Sequence, residues 1–177
     1  MSEQSPLSLG TEDIKKLLMR YAVPAIVAMT AASLYNMMDS IFIGHGVGAL
    51  GIAGLAVTFP FINLAAAFGS LVGVGASTLV SVKMGQKDLK SAEAVLGNVL
   101  LLNTVIGFLF MTVCLIFLDP ILYFFGASAD TLPYARDYMK VILYGNLITH
   151  IYMGLNEVMR ASGYPQRAMM ATLFAVL

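Results

Sequence analysis

The stretch that decides the fold is residues 21–43, YAVPAIVAMTAASLYNMMDSIFI. The 18 residues from Tyr21 to Met38 carry no formal charge, Asp39 follows them, and the next charged residue is Lys83. An uncharged run of this length predicts a membrane-spanning helix. An acid inside such a helix is costly and usually faces a bundle interior or a watery cavity. We therefore expect Asp39 to be functional, and a helix cap or a place at the headgroup boundary is the structural alternative.

Two polar residues share a helix face with this acid. Tyr35 and Asn36 precede Asp39 by four and three residues, which places all three side chains on one stripe. Pro24 lies one turn into the span and removes a backbone hydrogen bond there. It predicts either a static kink or a moving hinge.

The composition excludes an ordinary soluble domain. Hydrophobic residues make up 59% of the chain and charged residues 11%, whereas soluble domains carry about 25% charged residues. The formal net charge is zero, so no overall positive field favours nucleic acid. The single cysteine, Cys114, cannot form an internal disulfide and is expected to pack among apolar neighbours.

Further uncharged runs at 55–82, 94–118 and 141–156 extend the pattern. We predict an all-α, polytopic membrane helical bundle with about four complete transmembrane helices and the start of a fifth. After a cytoplasmic tail at 1–13, the predicted helices cover about 14–43, 52–82, 89–118, 133–159 and 165–177. Only ten residues follow Arg167, too few to cross a hydrocarbon core of about 30 Å, so we expect a fragment.

Several polar residues lie within or between these spans. Asp88 is expected to cap the third helix, Asn98 and Asn103 to hydrogen-bond between helices, and 119–132 to form a turn-rich connection. The second span contains Asn63.

The basic residues predict the orientation. Eight of the ten fall on one side if the four spans alternate, which makes that side cytoplasmic. We expect a multi-pass protein of the inner (plasma) membrane with a cytoplasmic N-terminus. Asp39 lies about 27 Å along the helix from Tyr21, in the outer half of the membrane. The eight basic residues on the predicted cytoplasmic side are Lys15, Lys16, Arg20, Lys83, Lys87, Lys90, Arg160 and Arg167.

No pattern typical of catalysis is present. His45 and His150 lie on different elements without the spacing of a zinc motif, Cys114 has no partner motif, and there is no Walker A loop. We expect no enzyme activity, no cofactor and no metal.

Five sequence blocks in this order resemble multidrug and toxic compound extrusion (MATE) transporters. They are YAVPAIV, LYNMMDSIFIGHGVGALGIAGLAVTFP, GASTLVSVKMGQKDLKSAEAVLGN, FFGASADTLPYARDYM and NEVMRASGYPQRAMMA. The resemblance implies twelve helices in two six-helix lobes, of which 14–177 would be an incomplete N-terminal lobe. It implies H⁺- or Na⁺-coupled export of cationic or amphipathic drugs by alternating access. The bilayer and the transporter's remaining helices would be the other partners.

The resemblance also assigns roles to residues. Asp39 matches the protonation site of the N-terminal lobe, and Tyr138 is the nearest candidate for the tyrosine that partners it. The expected ion-coupling and substrate cavity comprises Asp39, Tyr35, Asn36, Asn63 and Tyr138, and Pro24 is the expected hinge.

Three other functions are weighed against export. A lipid-linked oligosaccharide flippase of the same superfamily is the alternative, although its phosphate-bearing substrate calls for Arg or Lys at membrane depth, absent from 21–82 and 94–118. An intramembrane enzyme needs a paired catalytic group that we do not find. A purely structural subunit needs no buried acid.

Overall fold

The computed structural model describes residues 13–176, and these form six α-helices without a strand. Of the expected tail, residues 1–12 lie outside the described residues. The helices are α1 (Ile14–Gly46), α2 (Ala49–Gly85), α3 (Leu89–Ile116), α4 (Leu118–Phe124), α5 (Leu132–Ala161) and α6 (Pro165–Val176). The all-α bundle predicted from the uncharged runs is confirmed.

Aspartates begin two of the long helices. Asp13 Oδ1 accepts hydrogen bonds from the backbone N–H groups of Lys15 at 2.8 Å and Lys16 at 3.4 Å. Asp88 Oδ1 accepts one from Ser91 N–H at 3.1 Å, which confirms the predicted cap of α3. A carboxylate in this position satisfies N–H groups that have no partner within the helix, and it complements the positive end of the helix dipole.

The connection between α1 and α2 is shorter than the sequence suggested. α1 continues to Gly46 and α2 begins at Ala49, whereas the predicted ends were 43 and 52. The turn narrows to Val47 and Gly48, and Gly48 takes a φ of +89°, a conformation that glycine adopts without steric cost. Gly44 and Gly46 therefore lie in the last turns of α1, and Gly48 lies in the turn between the two helices.

The connection predicted at 119–132 contains a short helix, α4, in its first part, which the sequence reading did not anticipate. Pro120 stands in the first turn of α4, where the missing N–H has no helical partner to lose. Arg136 near the start of α5 then pairs with Asp119: its Nε donates to Oδ1 at 2.7 Å, and its Nη2 contacts Oδ2. This ion pair joins α4 to α5.

Among the described helices, α1, α2 and α3 are long and apolar enough to cross a membrane. Only 11% of the most apolar window of α1 is buried, so most of its apolar side chains face outward, as expected in lipid. α5 has 30 residues, enough to cross, but it carries Asn146, His150 and Asn156. These polar side chains make α5 less apolar than the other long helices. They are buried against neighbouring helices, so they do not face lipid.

The helices pack around α5. It contacts α2 and α3 along much of its length, while α6 lies against α1 and α5. Where α2 crosses α5, a Cβ added to Gly73 of α2 would lie 2.7 Å from Gly154 Cα of α5. Small residues allow this approach, which is a common basis for helix association in membranes. A cluster of apolar side chains including Phe61, Leu122 and Leu143 fills the space between α2, α3, α4 and α5.

Candidate ion-coupling site

Asp39 and Tyr138 meet across the bundle. Asp39 is a partly buried residue in the C-terminal half of α1, and Tyr138 lies in the second turn of α5. The Tyr138 hydroxyl donates a hydrogen bond to Asp39 Oδ2 at 2.9 Å, across 99 residues of sequence. A phenol that donates to a carboxylate makes a charge-assisted bond, which is stronger than a bond between neutral groups. The structure thus brings together the acid and the tyrosine that the resemblance had paired.

The other expected cavity residues do not bond to this acid within the described chain. Tyr35 and Asn36 share its face of α1 and are exposed, with Tyr35 52% accessible. Asn63 is exposed on α2, and its Nδ2 donates to the Phe59 carbonyl of the same helix at 2.8 Å. Tyr35 and Asn36 extend a polar stripe beside the Asp39–Tyr138 pair, whereas Asn63 is satisfied locally.

Pro24 lies inside α1 and is buried. A cavity of about 220 Å³ adjoins it on the side that faces α6. The cavity is lined by Tyr21, Pro24, Ala25, Arg160, Pro165 and Met169. A proline removes one backbone hydrogen bond of its helix, so α1 lacks one of its internal contacts beside this cavity.

Sequence reasoning missed a hydrogen-bonded chain that holds α6 to α5 beside this cavity. Arg160 Nε donates to Asn156 Oδ1 at 3.0 Å, and Asn156 Nδ2 donates to the Ala168 carbonyl at 3.0 Å. The Tyr152 hydroxyl donates to Thr172 Oγ1 at 2.7 Å. The spacing of Asn156 and Arg160, one helical turn apart, was the available signal.

The described residues contain no group of three or more His, Cys, Asp or Glu side chains that could hold a metal ion. The Asp39–Tyr138 pair offers one carboxylate and one hydroxyl. This arrangement can gain and lose a proton and can accept hydrogen bonds from a ligand.

Residues 24–177 match the family model MatE. The chain belongs to the MatE family. A curated relative is the "Multidrug export protein MepA" of Staphylococcus haemolyticus, which is 27% identical over 176 residues. That alignment covers 99% of this chain and 39% of the relative. The described chain therefore spans less than two-fifths of the length of this relative.

Solved MATE structures share the fold. The "Crystal structure of MATE in the bent conformation" aligns with a TM-score of 0.86 at 27% identity, covering 97% of this chain and 38% of that one. The "Crystal structure of MATE in the straight conformation" aligns with a TM-score of 0.84 at 27% identity, covering 93% and 36%. With its long apolar helices, this MatE family chain is a multi-pass membrane protein.

Proposed function

We propose that this chain forms part of a secondary active multidrug exporter in which Asp39 couples ion movement to transport. The observation that carries the proposal is the 2.9 Å hydrogen bond from Tyr138 to Asp39. Membership of the MatE family and the multidrug export relative support it.

The chemistry of coupling follows from this bond. The ionised carboxylate accepts a charge-assisted hydrogen bond from Tyr138, and this bond holds α1 against α5. Protonation of Asp39 removes the charge and weakens the attraction between the two helices. A bound proton, or a Na⁺ that neutralises the carboxylate, thereby favours a different arrangement of α1. Alternating access follows when that arrangement opens the opposite face of the membrane.

The surroundings of Asp39 suit cationic, amphipathic substrates. Leu34, Tyr35, Met37 and Met38 are each about half exposed on the same part of α1. Methionine and tyrosine form soft, adaptable contacts, and a carboxylate nearby attracts a cation. A ligand with a positive group and an apolar body would satisfy both features.

Pro24 is the proposed hinge of this movement. It interrupts the hydrogen bonds of α1 between the cytoplasmic end and Asp39, next to the 220 Å³ cavity. The solved MATE structures in bent and straight conformations support a moving element in this family.

We further propose that the N-terminus is cytoplasmic, as the basic residues predict. The flippase alternative gains no support from the multidrug export relative or from these MATE structures.

The test uses the full-length protein in proteoliposomes. Asp39→Asn keeps the size and hydrogen-bonding ability of the side chain but cannot release a proton, so drug efflux driven by imposed pH or sodium gradients should fall to a small fraction of wild type. Asp130→Asn, at an exposed acid before α5, is the matched control and should transport normally. Wild-type efflux by Asp39→Asn under both gradients, at equal protein levels, would refute the coupling role.

A further inference from the structure

Three polar side chains lie in the interior of the bundle, away from the coupling site. Asn103 of α3 and Asn146 and His150 of α5 are 0%, 4% and 1% exposed. His150 is twelve residues from Tyr138, about 18 Å along α5. It is enclosed by glycines: a Cβ on Gly107 would lie 3.2 Å from His150 Cβ, and one on Gly69 would lie 3.5 Å from its Cγ.

Each of these residues leaves one polar atom without a partner among the described residues, namely Asn103 Oδ1, Asn146 Nδ2 and His150 Nε2. Asn103 was expected to bond between helices, but its Nδ2 donates to the Val99 carbonyl of its own helix at 3.1 Å. That bond fixes which end of its amide is the oxygen. A buried polar atom without a partner costs about 1–3 kcal/mol, so three such atoms within about two turns of α5 and the facing part of α3 require an explanation.

The hydrogen-bonding sense of His150 Nε2 and Asn103 Oδ1 can be assigned from their neighbours. His150 Nδ1 lies 3.0 Å from the Asn146 carbonyl, which only accepts, so Nδ1 carries the proton. In the neutral ring Nε2 is then an acceptor. Asn103 Oδ1 is also an acceptor, and Asn146 Nδ2 is a donor. The site therefore presents two acceptors, His150 Nε2 and Asn103 Oδ1, and the amide group of Asn146 at the α3–α5 contact.

We propose that α2, α3 and α5 enclose an internal water site at His150. Water donates twice and accepts at least once, which complements these three atoms, and buried waters typically make about three hydrogen bonds. An anion would be repelled by the two acceptors, His150 Nε2 and Asn103 Oδ1. Because the three atoms are already covered by this chain, another protein segment cannot reach them without separating the helices. Water, as one molecule or a hydrogen-bonded pair, bridges α3 to α5.

The first measurement is a structure of the full-length protein at a resolution that shows ordered waters. Density should lie about 2.7–3.2 Å from His150 Nε2 and from at least one of the asparagine atoms. Direct bonds among the three side chains, or a site without density, would overturn the proposal.

The second measurement is a double-mutant cycle on thermal stability, with Asn103→Leu and His150→Phe. If water links the two residues, either replacement disrupts the bridge, so the fall in Tm of the double variant should be clearly smaller than the sum of the two single falls. Asn98→Leu, the same change at an exposed site of α3, is the control and should add to His150→Phe. If the falls in Tm of Asn103→Leu and His150→Phe are additive, that result counts against the bridge. If either variant does not fold, the density measurement tests the proposal instead.

Discussion

The replacement of Gly154 by alanine tests the contact between α3 and α5. A Cβ at Gly154 would overlap Asn103 Nδ2 and lie 2.9 Å from its Cγ. Asn103 is fully buried and bonded to Val99, so it has little freedom to move away. Either α3 separates from α5 or Asn103 turns and loses its bond.

The expected change in the free energy of unfolding of Gly154→Ala has three contributions. Overpacking costs about 1–3 kcal/mol. Loss of the Asn103–Val99 bond adds about 1 kcal/mol. The better helix propensity of alanine offsets roughly 1 kcal/mol. The expected net loss of stability is therefore about 1–3 kcal/mol, visible as a lower Tm of the full-length protein in detergent.

A matched control lies on the same helix. A Cβ on the exposed Gly145 would meet nothing within 4 Å, so Gly145→Ala should leave the Tm unchanged or raise it. Adding Asn103→Ala to Gly154→Ala should recover part of the lost Tm, because the obstructing atom is removed. Equal stability of Gly154→Ala and Gly145→Ala would refute this account of the contact.

Three further predictions follow from described contacts. Gly73→Ala should lower the Tm without rescue by Asn103→Ala, because its Cβ would meet the backbone of Gly154; rescue would show that the crossing is looser than described. In a Cys114→Ala background, an impermeant thiol reagent should label Val47→Cys but not Gln86→Cys from outside intact cells, and the reverse pattern would invert the proposed orientation. Hydrogen bonds from Ser91 lower the pKa of Asp88, so this cap stabilises the fold above the ordinary carboxyl pKa and loses its effect as the pH falls through the lowered value. Asp88→Ala should therefore lower the Tm at neutral pH and have a smaller effect in acid, which thermal unfolding at several pH values measures.

The features predicted from sequence were those set by local chemistry. The uncharged run before Asp39 and the position of Asp88 ahead of α3 each depend on a few neighbouring residues. α4 was missed because Asp119-Pro120 is equally compatible with the end of one helix and the first turn of another.

The contacts between helices were harder to predict. Helical spacing shows which residues share a face, but it does not show which helix that face meets. Asn103 bonds to the Val99 carbonyl of its own helix, and Gly154 of α5 lies directly against its side chain. The Tyr138–Asp39 contact was anticipated from a family resemblance and not from any pattern in the residues themselves.

The length of α2 has a consequence for the surrounding lipid. Its 37 residues extend about 56 Å, nearly twice the hydrocarbon thickness of about 30 Å. The helix must therefore tilt, emerge from the hydrocarbon, or do both, and a thinner bilayer increases this mismatch. Because Gly73 fixes α2 to Gly154 of α5, a change in the tilt of α2 also acts on α5. Bilayer thickness thus becomes a variable that acts on the packing of the whole bundle.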